Sequence, residues 1–212
     1  MTTLPKPSAP PPGERAALAL EAWKKVVQTQ EHFNEICMKV RTLYATVLAG
    51  ILSLYGVFLK DTSKHGFSVA GLNFDPIIAV CVAVFVASTL FYFVDKQWYH
   101  RLLLGAVEQG AEIEDRWGEI LPEIRLGSKI TAKSPVDLSN SPKTSWFLKL
   151  FVEDERFKET NRLHSDAKLE VFYKPIRTLS VLALIAACLF GGISYNGNSV
   201  TSLLWNALKC IT

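Results

Sequence analysis

Four cysteines and four histidines are the residues of this 212-residue chain whose types most often carry nucleophilic or metal chemistry. Their spacing supports neither. Cys37, Cys81, Cys188 and Cys210 form no CxxC pair and fall in four separate parts of the chain, which argues against a zinc site or a disulfide. His32, His65, His100 and His164 contain no pair at i,i+4. Glycine-rich phosphate loops, HExxH and GxSxG are absent. The expectation is a protein that is not an enzyme and uses no cofactor and no metal. The net charge of +3 is small and dispersed, so no direct nucleic-acid binding is expected either.

The most distinctive chemical stretch is WYHRLLLGAVEQG, residues 98–110. Trp98 and Tyr99 suit the aromatic belt of a membrane interface. His100 and Arg101 are placed to meet a lipid phosphate, or a carboxylate from a neighbouring helix such as Glu31 or Glu35. Gly105 and Gly110 each lower helix propensity by about 1 kcal/mol relative to Ala, so they point to close helix contact or a hinge. Simple anchoring and packing is the plainer account of the same residues. The stretch 153–170 alternates charges densely. It reads as a solvated helix face with i,i+4 pairs or, more sharply, as a docking surface for a cytoplasmic partner.

A second chemistry is that of small residues in lipid. Ala45, Ala49 and Ser53 recur every four residues, as do Ala79, Ala83 and Ala87, and Ala183, Ala187 and Gly191. Such stripes let helix backbones approach closely. They fit either tight packing within the chain or homo-oligomerisation.

The elements that must position these residues follow from hydropathy. The chain is 49% hydrophobic and only 20% charged, with a mean hydropathy of +0.19. The excess is concentrated in three runs without Asp, Glu, Lys, Arg or His: residues 43–59, 76–94 and 178–195. A spanning helix needs about 20 mostly apolar residues, with a range of roughly 17–25, and all three qualify. None contains the ionisable group that proton-coupled transporters and pumps place in the membrane. Lys24, Lys25, Lys39, Arg41, Lys96, Arg101, Lys174 and Arg177 flank one side of the runs. The positive-inside rule then places the N-terminus and the long 95–177 stretch in the cytoplasm, and the C-terminus outside.

Leu18, Ala22, Val26, Thr29, Phe33, Ile36, Val40, Leu43 and Val47 follow steps of three and four, which predicts one helix over 14–59, continuous with the first span. Val94, Trp98, Leu102, Ala106, Gln109, Ile113, Trp117 and Ile120 do the same, so 76–121 is a second span continued by an antiparallel helix. The expected fold is all-α: an integral membrane protein with three transmembrane helices, two of them extended into a cytoplasmic helical hairpin, plus a C-terminal amphipathic helix. Residues 1–13 are a Pro-rich disordered start and 60–75 an external loop. Residues 122–145 form a linker, 146–176 a cytoplasmic helix broken or kinked at Pro175, 177–195 the third span, and 196–212 the external amphipathic tail. That tail lies in the interface or packs on the bundle.

The helix QTQEHFNEICMKVRTLYATVLAGILSLYG (28–56), followed by DKQWYHRLLLGAVEQGAEIE (95–114), resembles small bacterial membrane proteins of the RipA-type oligomeric family. It is also similar to the two- and three-span membrane effectors of anti-phage and CRISPR loci. The resemblance covers about half the chain. It implies a homo-oligomer in the bacterial inner membrane whose cytoplasmic helices gate a pore, with anti-phage defence as its setting. Its partners would be membrane lipids, further copies, and a cytoplasmic protein or small-ligand regulator. The alternative is a non-conducting scaffold that recruits a cytoplasmic partner protein.

Overall fold

The computed structural model describes residues 11–60, 66–69, 71–190, 192–195 and 198–199. The first element is a single helix, α1 (Pro12–Lys60), of 49 residues. At 1.5 Å per residue it is about 74 Å long. Glu14 in its first turn and Lys60 in its last match the helix dipole. A hairpin follows, β1 (Phe67–Val69) and β2 (Leu72–Phe74), turning at Gly71, whose φ of 82° is one that glycine adopts without penalty. Asp75 then caps α2 (Pro76–Phe93), its carboxylate accepting from Ile77 N–H at 2.9 Å.

The second long rod is not regular. A π turn, Val94–Tyr99, joins α2 to α3 (His100–Trp117), and His100 N–H donates five residues back to Asp95 O. After a 3₁₀ turn at Pro122–Ile124 the chain forms α4 (Leu126–Lys133), β3 (Val136–Asp137), α5 (Pro142–Lys149), α6 (Glu155–Thr160) and β4 (Arg162–Leu163). It then enters α7 (Ser165–Leu189). Strands β3 and β4 pair antiparallel. Beyond α7, β5 (Ile193–Tyr195) pairs with β2, and β6 (Asn198–Ser199) pairs with β5, giving the order β1-β2-β5-β6.

Among the described residues three helices are long and apolar enough to cross a membrane, and these residues are predominantly helical. The sides of the apolar runs are bare of protein: Leu52, Leu54, Val57, Phe58 and Leu59 of α1 are all more than half exposed. Soluble monomers rarely expose contiguous apolar patches above a few hundred Å², so these faces are compatible with contact with lipid. The packing that exists is of α2 on α7, and of α1 on both α3 and α2. Tyr44, Leu169 and Tyr173 form one core, bordered by Leu48, Phe91, Tyr92 and Ile176; Val152, Phe157, Leu163 and Ala167 form a second.

Several expectations need correction. The all-α description misses two small sheets, because hairpin strands of two or three residues carry no periodicity to read. Residues 122–145 are not a linker: they hold α4 and β3, and their first turn is bound to α3. The helix expected over 146–176 is interrupted twice, at Asp154, which caps α6, and at Asn161, which ends it in the left-handed region at φ 55°. Conversely, α7 runs straight through Pro175. Proline there deletes one intrahelical bond, but buried Tyr173 and Lys174 and half-buried Ile176 hold the helix on both sides of it. The third run leaves the helix at Leu189, because strand pairing with β2 takes over its last residues. Of the tail expected at 196–212, Asn198–Ser199 form β6, and the rest lies outside the described residues.

Candidate functional site: a buried charge network

The site lies where the uncharged runs end. Arg41 precedes the run 43–59 by two residues, and Asp95 follows the run 76–94 directly. Buried positions on the second rod are Ile78, Cys81, Val84 and Ser88, then Asp95, then His100, then Gly110 and Glu114. The step of five from Asp95 to His100 is the signature of the π turn. The extra residue swings the side chains after it back towards the partner helices. Asp95, Lys96 and His100 thereby all reach neighbours.

Asp95 is fully buried. Its Oδ2 accepts from Arg41 Nε at 2.8 Å and from the Tyr173 hydroxyl at 3.0 Å, and Oδ1 accepts from Arg41 Nη2 at 3.4 Å. Lys96 Nζ donates to Glu170 Oε1 at 2.7 Å and to the Tyr92 hydroxyl at 2.9 Å. Glu170 Oε2 accepts from Glu153 N–H at 2.8 Å and lies 3.2 Å from Lys174 Nζ, which is itself 3.0 Å from Glu153 Oε1. The Lys174 ammonium is buried, and its two carboxylate contacts are electrostatic, without hydrogen-bond alignment. His100 Nε2 lies 2.7 Å from Asp166 Oδ1. On α7 the partners Asp166, Glu170, Tyr173 and Lys174 form one stripe at helical spacing.

Burial alone would raise the Glu170 carboxyl. Its bonds from Lys96 and the Glu153 N–H, with the Lys174 ammonium alongside, outweigh that and hold it below the ordinary range. Burial pushes the Cys37 thiol up, and the charge of Asp95 adds to that, which disfavours its thiolate.

Above this layer the Tyr44 hydroxyl and Ser88 Oγ are 2.8 Å apart, and Ser88 donates on to Val84 O at 2.7 Å. The Tyr44 ring packs on Phe91 and on Tyr173, with centroids at 5.4 and 4.9 Å. Further from the apolar runs, Glu114 accepts from Trp23 Nε1 at 3.2 Å, from Gly127 N–H at 2.7 Å, and from Ser128 N–H and Oγ at 2.8 and 2.6 Å. Burial opposes the Glu114 charge. The donors win and leave the carboxyl below its usual range. They include the first free N–H groups of α4, where an anion is favoured.

The residues singled out from sequence are scattered about this network. His100 does bind a carboxylate, but that of Asp166; Glu35 pairs instead with exposed Lys39 at 2.8 Å. Arg101 and Trp98 are exposed, with Trp98 stacked on Tyr99 at 6.2 Å. Gly105 faces open space, so it makes no close contact. Gly110 does: a Cβ there would lie 2.8 Å from Gln30 Nε2 and 3.4 Å from Val26 Cγ1. Ala45, Ala49, Ser53, Ala79 and Ala183 are exposed; Ala83, Ala87 and Ala187 are half-buried. Gly191 lies outside the described residues. Asp95, Arg41, Glu114, Glu170 and Lys174 were not anticipated as a site. The readable signal was the pair of charges abutting two uncharged runs, and the 153–170 stretch is not wholly solvated, since Glu170 is buried.

Among the described residues no cluster of His, Cys, Asp or Glu is arranged to hold a metal ion. Each carboxylate in the layer is engaged by cations or donors. The layer ties α1, the second rod and α7 to one another. No family model, no curated protein and no solved structure matches this chain. The class the fold defines is a helical protein with three candidate membrane spans, joined at one end of those spans by a buried ion-pair layer.

Proposed function

We propose that the protein is a non-enzymatic, homo-oligomeric membrane protein in which the cytoplasmic helices gate an ion path formed between copies. The N-terminus and the 95–177 region face the cytoplasm; the β2–β5 end faces outward. The observation that carries the reading is Asp95, a fully buried carboxylate on a π turn at the inner ends of the spans, shared by Arg41 of α1 and Tyr173 of α7. A π turn converts to α by shifting one residue, so it is a two-state element that a cytoplasmic load can bias.

The interior of one chain is filled at this level by Tyr44, Ser88, Tyr173 and the Asp95 layer, which leaves conduction to the contacts between copies. The outward Ala45, Ala49 and Ser53 suit such contacts. Proteoliposomes holding a K⁺ gradient and a potential-sensitive dye test the reading. Wild type depolarises them under activating load, and Asp95→Asn, which loosens the layer, depolarises them without it. Tight vesicles in both cases refute the proposal.

A further inference from the structure

Helix α4 turns one face away from the rest of the chain. Gly127 and Ser128 direct their N–H groups at Glu114 of α3. Leu126, Lys129, Ile130 and Lys133, spaced i, i+3, i+4 and i+7, are all exposed, the two apolar ones by 45% and 59%. Neither lysine has an ion pair or a side-chain hydrogen bond among the described residues.

A face of opposite sign lies on α3. Glu108, Glu112, Asp115 and Glu119 follow at steps of four, three and four, all exposed and none paired among the described residues. Carboxylates at these spacings repel, so the stripe works against α3 until cations meet it. The other side of α3 is taken by α1: Gln30 donates to Ala106 O at 2.9 Å, and Gly110 lies under Gln30 and Val26. By helical spacing Glu114, which holds α4, lies about 130° around α3 from the middle of the stripe. The basic and acidic faces therefore point to different sides of one chain and do not meet within it.

Depth selects the occupant. Copies that span a membrane in one orientation keep each residue at a fixed distance from the bilayer, so a side-by-side contact joins only surfaces at one level. The stripe reaches from about 9 Å on the near side of Glu114 to about 8 Å on the far side, measured along α3. Glu114 fixes the start of α4, so α4 of one copy is level with the stripe of the next. Lys129 and Lys133 are about 6 Å apart along α4, the same step as Glu108 to Glu112 and Asp115 to Glu119. The symmetric alternatives, α4 on α4 or α3 on α3, would set like charges face to face. A contact between two different faces repeats head to tail and, kept in one membrane plane, closes as a ring.

We infer that α4 docks on α3 of a second copy, with Lys129 and Lys133 against the acidic stripe, and that this contact builds a cytoplasmic ring of more than two copies. The inference rests on the reading of a spanning homo-oligomer and names one of its contacts. Its consequence is that a pull on α4 passes through Gly127, Ser128 and Glu114 into α3, which begins at the π turn.

The test uses the full chain in mild detergent, with subunit number read by native mass spectrometry. One variant carries Lys129→Glu with Lys133→Glu, and the other carries Glu112→Lys with Asp115→Lys. Each alone sets like charges across the contact and is expected to need at least tenfold more protein to assemble than wild type. An equimolar mixture is expected to assemble as wild type does, in rings that alternate the two, because each face then meets its opposite. A role within one chain gives no such rescue in trans. Wild type itself is expected to need about tenfold more protein at 1 M salt than at 0.1 M, since screening shortens from about 10 Å to about 3 Å. Either variant assembling alone as wild type does, a mixture no better than its parts, or assembly of wild type indifferent to salt overturns the α4–α3 contact and leaves the oligomer standing. Wild type that stays monomeric across the whole concentration range overturns the oligomer reading and this contact with it.

Discussion

Asp95 shows how one residue can be both a liability and a constraint. A carboxylate taken wholly out of water is tolerable only with its partners in place, and here one guanidinium and one phenol supply them. Removing one partner of such a buried pair typically costs about 3–5 kcal/mol, whereas replacing the pair by apolar residues is often neutral. Arg41→Ala is therefore expected to lower thermal stability in detergent sharply, and Arg41→Leu with Asp95→Leu to recover most of the loss. A double variant no better than the single one would contradict this.

Protonation tests a neighbouring part of the account. Glu114 and Glu170 both sit below the ordinary carboxyl pKa, so their contribution is present above that value and fades as the pH falls through the lowered one. Melting temperature should fall with acidification below about pH 4.3, the ordinary glutamate value, and Glu114→Gln should flatten part of that slope. An unchanged slope would show that Glu114 is not coupled to folding.

At the scale of elements, legibility follows from how local the signal is. The apolar runs stand out because each holds about seventeen or more residues without a charge, as a spanning helix requires, and steps of three and four from Leu18 to Val47 are enough to announce α1. The network is hidden because its bonds from α1 and the second rod join residues 54 to 78 apart, and because a π turn displaces the pattern between Ser88 and Gly110. Small strands and short capped helices also escaped, since Asp154 and Asn161 act through backbone bonds that no periodicity records. The two glycines of α3 illustrate the same limit. They read alike in sequence, yet only Gly110 touches α1. Gly105→Ala is expected to stabilise by up to about 1 kcal/mol through helix propensity alone. Gly110→Leu is expected to destabilise by about 1–3 kcal/mol by forcing Gln30 and Val26 aside. Thermal melts of the two variants in one detergent check the opposite signs.

The whole molecule is a bundle closed at both ends of its apolar section. At one end Asp75 N–H donates to Gly192 O at 2.7 Å and β2 pairs with β5; at the other stands the ion-pair layer. Between the two ends the helices present apolar sides outward. Under the oligomer reading, Ala49→Leu bulks an exposed stripe and lowers the subunit number seen by native mass spectrometry. The same mass distribution as wild type would remove that stripe from the assembly.

The central claim is that the Asp95 layer holds an oligomeric ion path shut. Ion flux through purified Asp95→Asn in K⁺-loaded liposomes, set beside wild type at equal protein density, tests it most directly. The account predicts spontaneous depolarisation for the variant and little for unloaded wild type. Equally tight liposomes, with both proteins confirmed inserted and folded, would contradict it.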